Sequence, residues 1–357
     1  MFIIMRYNAT LEFGMKQLKK IFVFFILTCG VGATLHANPL DPTSKSEISV
    51  HDHYNLIIDF FQNKEWEKLI WQSRMLMQDF PDAPFAKEVY YYMGVAYYEI
   101  TDYEMANESF SAYLKEEMTP KFFDQVIRYK FEIACHFQEG VRRHLFHVRG
   151  LPKWIHGYEE AIEIFDEVIT TLPRDEMAAE SLYRKATLLL ALEEYKESVE
   201  AYQTLIRRFP KHPLAPDSYL GVAEVYLTWC QKEFPDGDRL ELAEINLRKF
   251  RFHFPREPRL EEAEKKLLHL KDVMADDLLE MGEFYHRTKR PKAAAIYYQT
   301  ILKKYPDTKA AKVSRKKLEK LGLPETFSEM ENASDKVPKK ADEAIIVESD
   351  EEVSAAP

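Results

Sequence analysis

The stretch between Gly140 and His156 gathers the side chains best suited to chemistry. Arg142, Arg143, Arg149 and Lys153 stand among His144, His147 and His156, with Phe146 and Trp154 between them. Imidazoles three residues apart have metal-ligand spacing on a helix. The neighbouring sequence brings no carboxylate or cysteine close to them, so solvated histidines are expected rather than a metal centre. Guanidinium and indole groups are the anchors that dominate protein interfaces. Arg142, Arg143 and Trp154 are therefore candidate partner-binding residues, and the competing reading is a loop folded back over exposed helix ends.

The remaining reactive groups assemble into nothing catalytic. Cys29, Cys135 and Cys230 have no metal-ligand spacing. Cys135 and Cys230 lie in apolar helical runs, where a buried, inert thiol is expected. The sequence contains no phosphate-cradling glycine loop, no His-Glu-x-x-His pair and no paired-cysteine motif. No enzyme, cofactor or metal is implied. A solenoid carrying a cell-wall hydrolase module would need a further domain, and no stretch remains to house one.

Composition narrows the partner class. The 357 residues carry a net charge of −10, with 46% hydrophobic and 30% charged side chains. Only 11 glycines stand against 20 tyrosines and 23 phenylalanines. That balance suits helices packed on helices through large side chains, and it argues against a turn-rich β protein. An acidic body lacks the basic footprint that nucleic-acid binding requires. The expected partners are other proteins.

The elements that position these residues announce themselves by repetition, the mark of a solenoid. Phe80-Pro81-Asp82, Leu172-Pro173-Arg174, Phe209-Pro210-Lys211, Phe254-Pro255-Arg256 and Tyr305-Pro306-Asp307 recur, with a weaker version at Pro120. Proline cannot continue a helix, so each predicts the end of one helix pair. Eight residues before these prolines stand Ser73, Phe165, Tyr202, Leu247 and Tyr298. Four earlier stand Leu69, Ala161, Ser198, Ala243 and Ala294, while Ala106 and Phe110 fit the second repeat. A small residue followed by an aromatic at i+4 lies on one helix face. The small one admits the partner helix and the large one fills the groove beside it. Tyr90, Met93, Gly94 and Tyr97 return as Leu278, Met281, Gly282 and Tyr285, the spacing of tetratricopeptide repeats. The expected fold is all-α: a superhelical solenoid of about six tetratricopeptide-like helix pairs over residues 50–322. Residues 140–156 form an insertion, Lys232–Asp238 a shorter one, and Leu260–Arg290 a single long helix.

Both flanks have their own character. Basic residues from Met15 run into the apolar stretch Ile21–Thr28, the layout of a secretory signal. Residues 1–37 are read as an export signal whose start is better placed at Met15, and 38–49 as a linker. Ile26-Leu27-Thr28-Cys29 resembles a lipobox, making Cys29 the preferred lipid-attachment residue. Cleavage after Ala37, giving a mature start at Asn38, is the rival. The tail 323–357 holds ten acids against three bases. Its excess like charge and low hydrophobicity predict disorder.

From Asp238 to Gly322 the layout resembles the outer-membrane protein assembly factor BamD family, repeat lipoproteins of the β-barrel assembly machinery. The likeness rests on Ala243 through Pro255, the long helix centred on Leu270-Lys271-Asp272, Gly282-Glu283-Phe284-Tyr285, Ala293-Ala294 and Tyr305-Pro306-Asp307-Thr308. Phe80-Pro81-Asp82-Ala83-Pro84-Phe85-Ala86 is similar to that family's first repeat boundary. Such boundaries also occur in soluble periplasmic repeat proteins that coordinate envelope constriction. The resemblance implies a lipid-anchored protein at the periplasmic face of the outer membrane, or a soluble periplasmic one if cleavage precedes Asn38. It implies that amino-terminal repeats receive unfolded barrel clients and that carboxyl-terminal repeats dock the barrel-shaped insertase. Arg256, Arg259, Phe284 and Tyr285 are the expected insertase contact. The insertion 140–156 and the acidic tail are additions to the family's pattern.

Overall fold

The computed structural model describes residues 49–83, 86–116, 120–144 and 152–325. Among the described residues thirteen helices run in chain order: α1 Val50–Gln62, α2 Trp66–Asp79, α3 Ala86–Glu99, α4 Tyr103–Glu116, α5 Phe123–Gln138, α6 Tyr158–Thr171 and α7 Glu176–Ala191. They continue as α8 Tyr195–Arg208, α9 Leu214–Lys232, α10 Gly237–His253, α11 Arg259–Arg287, α12 Pro291–Lys304 and α13 Lys309–Leu321. Taken two by two they make six antiparallel pairs and a closing helix, an all-α tetratricopeptide-like solenoid.

The prolines set the outer turns. Helices α2, α6, α8, α10 and α12 end at Asp79, Thr171, Arg208, His253 and Lys304, two residues before Pro81, Pro173, Pro210, Pro255 and Pro306. The residue preceding proline is pushed out of helical backbone. It still donates its N–H to the carbonyl four residues back, as Phe80 does to Leu76 and Tyr305 to Ile301. The inner turns share another device. Lys64, Thr101, Glu193 and Lys289 adopt left-handed φ of 58°, 62°, 63° and 58° between the two helices of their pairs. The following N–H bonds back across the turn, Glu65 to Phe60, Asp102 to Tyr97, Glu194 to Leu189 and Arg290 to Tyr285. These are left-handed helix stops of the kind glycine usually supplies.

Packing within each pair follows the small–large rule. Ala106 with Phe110, Ala161 with Phe165 and Ala294 with Tyr298 are all fully buried. A Cβ on Gly94 would come within 2.6 Å of the Phe110 ring, and one on Gly282 within 2.5 Å of Tyr298. The helices of these pairs approach so closely that only glycine fits. Between pairs, hydrogen bonds recur at the repeat length. The hydroxyls of Tyr54, Tyr91 and Tyr98 donate to Glu88, Gln125 and Glu132, each 34 residues on.

The long helix follows the sequence expectation, and the insertion qualifies it. The long segment after Pro258 is one helix, α11, whose first part buries Leu270, Met274 and Ala275 and whose end places Gly282 in the last pair. The insertion is not a plain loop. Strand β1, Arg142–His144, pairs antiparallel with β2, Lys153–His156, so it opens and closes as a hairpin. The export segment with Cys29, residues 145–151 and the tail beyond residue 325 lie outside the described residues. No helix among the described residues is long and apolar enough to cross a membrane.

Candidate protein-binding surfaces

The four expected insertase-contact residues do not form one patch. Arg259 opens α11 and Phe284 lies 25 residues further along it, a separation of about 37 Å at the helical rise. Phe284 is half exposed, at 50%. It packs edge-on against Tyr285 with ring centres 5.5 Å apart, and Tyr285 stacks on Tyr297 at 5.4 Å. Met281, Phe284 and Ile296 are exposed apolar side chains on α11 and α12 of this last pair. Beside them Glu283 accepts a 2.6 Å hydrogen bond from Lys317 of α13, which holds its carboxyl below the usual range. This end of the solenoid offers an aromatic and apolar surface with a fixed charged edge.

At the other end of α11 the two arginines differ. Arg259 bonds Asp217 of α9 at 2.5 Å and Glu257 at 2.7 Å. Those hydrogen bonds hold its guanidinium above the ordinary value. Its charge is spent inside the protein, tying the start of α11 to α9. Arg256 is exposed in the turn after α10. Of the pair, Arg256 is the residue open to a partner.

The hairpin divides its residues in the same manner. Trp154 is 67% exposed, and Arg142 is exposed as well. Arg143 turns inward and pairs with Glu159 at 3.4 Å and Glu160 at 3.3 Å on α6. His156 stacks on Tyr158, with ring centres 4.9 Å apart. His144, expected as a solvated side chain, is instead docked on α4. Its backbone N–H and its Nδ1 face Glu104 Oε2 at 2.9 and 2.5 Å. Strand pairing turns the insertion back onto a carboxylate 40 residues away, which local sequence could not display. Asp102, Glu104 and His144 can each place one ligand atom within 4.8 Å of the others.

Three further surfaces escaped the sequence reading. Trp71 on α2 is 62% exposed, the amino-terminal counterpart of Phe284. A groove of about 550 Å³ between α8, α9 and α10 is lined by Ile206, Leu242, Ile245, Lys249 and Phe254. A second, of about 750 Å³, opens over Lys130, Glu163, Asp166 and Glu167. There Lys130 is 1% exposed and bonds Glu167, Asn107 and Ser111 at 2.6, 2.9 and 2.6 Å. The available signal was a lysine among the buried positions of α5. Of the cysteines, Cys230 is buried, whereas Cys135 is only partly so. Burial nevertheless pushes the Cys135 thiol up to about 11, away from reactive thiolate.

Two family matches agree with this architecture. Residues 156–332, just under half of the chain, match the YfiO family, described as outer membrane lipoprotein. Residues 88–117, covering most of the second helix pair, match a tetratricopeptide repeat family. No curated protein matches the sequence significantly. Among solved structures the chain is similar to YrrB, described as a TPR protein with an unusual peptide-binding site, at 13% identity and TM-score 0.33, over 61% of this chain and 92% of that one. It is also similar to a tetratricopeptide repeat protein from Parabacteroides merdae, at 13% identity and TM-score 0.32, over 76% and 97%. MamA from Desulfovibrio magneticus RS-1 aligns at 15% identity and TM-score 0.30, over 60% and 95%. Values this low say nothing of shared ligands. The chain is a tetratricopeptide-like repeat protein that from residue 156 to residue 332 is similar to the outer membrane lipoprotein family.

Proposed function

We propose that this chain is a non-catalytic scaffold of the bacterial cell envelope, a component of the outer-membrane β-barrel assembly machinery. The observation that carries the reading is the family match over residues 156–332. That stretch runs from the end of the hairpin through α13, and includes the exposed Phe284 surface. Stacked helix pairs present long surfaces on which extended or helical segments of other proteins bind. Phe284 with Tyr285, and separately Arg256, would dock the insertase. The amino-terminal pairs, with Trp71 exposed and tyrosines along α3, would receive unfolded barrel clients. Lipid on Cys29 would hold the solenoid at the membrane face, two or more acyl chains anchoring stably at about 0.8 kcal/mol per buried CH₂.

The test is co-purification of the full-length protein from native membranes. Phe284→Ala and Arg256→Glu are expected to reduce recovery of the insertase while leaving the helical content unchanged. Undiminished recovery with both substitutions removes the assigned docking surface. Intact mass of the mature amino terminus separates the rival reading. A lipid-modified Cys29 supports membrane anchoring, and a plain Asn38 start makes the chain a soluble periplasmic adaptor for envelope or division machinery.

A further inference from the structure

We propose that Asp102, Glu104 and His144 form a zinc site that pins the β1–β2 hairpin to the second helix pair. Asp102 lies in the turn between α3 and α4, Glu104 in the first turn of α4, and His144 at the end of β1. Their ligand atoms come within 4.8 Å of one another. Two carboxylates and one imidazole converge there beneath the hairpin, with His144 Nδ1 already 2.5 Å from Glu104 Oε2. Glu104 is the informative residue. It is only 7% exposed, and while Oε2 faces His144, its Oε1 finds no hydrogen-bond donor among the described residues. A buried carboxylate oxygen without a donor is costly, and a metal ion bound there removes the cost.

The donor set selects the ion. One imidazole nitrogen with two carboxylate oxygens suits Zn²⁺, which takes four ligands and would complete its shell with water. Ca²⁺ asks for six to eight oxygens and gains little from imidazole. Mg²⁺ keeps its water and prefers oxygen as well.

The consequence is mechanical. The hairpin carries Trp154, the most exposed tryptophan among the described residues, and Arg142. On the α6 side it is held by Arg143 with Glu159 and Glu160. On the α4 side His144 already meets Glu104, and a metal shared with Asp102 would strengthen that hold and so fix where Trp154 is displayed. None of the three ligands belongs to the docking surfaces around Phe284, Arg256 or Trp71.

The experiment is a zinc titration of tag-free full-length protein stripped with a chelator. One Zn²⁺ per chain is expected by calorimetry, together with a rise in melting temperature. His144→Ala and Glu104→Gln are expected to weaken binding by about tenfold or more, since even lost outer-shell partners cost that much, and to abolish the thermal shift. Absence of binding by the parent protein, or equal affinity in His144→Ala, overturns the proposal. Should the variants fail to fold, the parent protein still decides the matter. Zinc is expected to shield His144 from diethyl pyrocarbonate while His286 continues to react, and unchanged modification of His144 refutes the site.

Discussion

Gly94→Ala is expected to destabilise the second helix pair, although alanine is the better helix former. In an ordinary helix interior the change would gain about 1 kcal/mol. Here the new methyl would sit 2.6, 2.7 and 3.0 Å from three ring atoms of Phe110. That ring is fully buried and stacks on Tyr129 with centres 5.2 Å apart, so it has nowhere to withdraw. Forcing an extra carbon into such a contact costs roughly 1–3 kcal/mol. The balance is a loss of up to about 2 kcal/mol, opposite in sign to the propensity effect. Gly237→Ala is the control, because nothing lies within 4 Å of a Cβ there. It should be neutral or slightly stabilising. Phe110→Leu should rescue Gly94→Ala in part, giving a coupling energy of about 1 kcal/mol in a double-mutant cycle. The assay is urea denaturation followed by circular dichroism, with amide exchange to localise the loss to α3 and α4. Helix pairs of a solenoid couple chiefly to their neighbours, so the effect should fade with distance. A raised midpoint for Gly94→Ala, or strict additivity in the cycle, would refute the reasoning.

Thr101→Gly should stabilise the chain by about 0.5–1 kcal/mol, since a β-branched residue at φ 62° carries a strain that glycine lacks. A lowered urea midpoint would show that the left-handed turn is not strained. Arg259→Ala should lower stability by about 1 kcal/mol or less through its lost bonds to Asp217 and Glu257, whereas Arg256→Ala should leave the midpoint unchanged. Equal effects would contradict the structural role assigned to Arg259. Alkaline pH should unfold the protein through its tyrosines. Burial raises Tyr91 and Tyr202 to about 12, so the native state keeps protons that the unfolded chain releases. Their contribution is intact below pH 10 and is lost between pH 10 and 12, by about 2–3 kcal/mol for Tyr202 and by less for Tyr91, which solvent screens more. Urea midpoints across that window, with phenolate absorbance, test it, and Tyr202→Phe should flatten the decline.

Much of the architecture was legible because its causes are local. A proline fixes the end of a helix wherever it falls, so Pro81, Pro173, Pro210, Pro255 and Pro306 marked helix ends that the structure places two residues earlier. The pairs Ala106–Phe110 and Ala294–Tyr298 repeat at one spacing because each solves the same packing problem. The inner turns were less visible. Lys64, Thr101, Glu193 and Lys289 are not residues whose type announces a left-handed backbone. What stayed hidden depends on contacts distant in sequence. Nothing near His144 foretells Glu104, nothing near Arg259 foretells Asp217, and the hairpin exists only because Lys153–His156 returns to pair with Arg142–His144. The expected insertase contact joined two stretches, Arg256 with Arg259 and Phe284 with Tyr285, which the one long helix holds apart.

The most direct test of the scaffold reading is photocrosslinking in intact envelopes with a reactive side chain at position 284. Phe284 is exposed on the last helix pair, so the probe meets whatever docks there. The account predicts a discrete adduct with the periplasmic part of a β-barrel insertase, absent when the probe replaces buried Phe250. Adducts no more frequent at position 284 than at that buried control, or adducts only with proteins unrelated to barrel assembly, would contradict it.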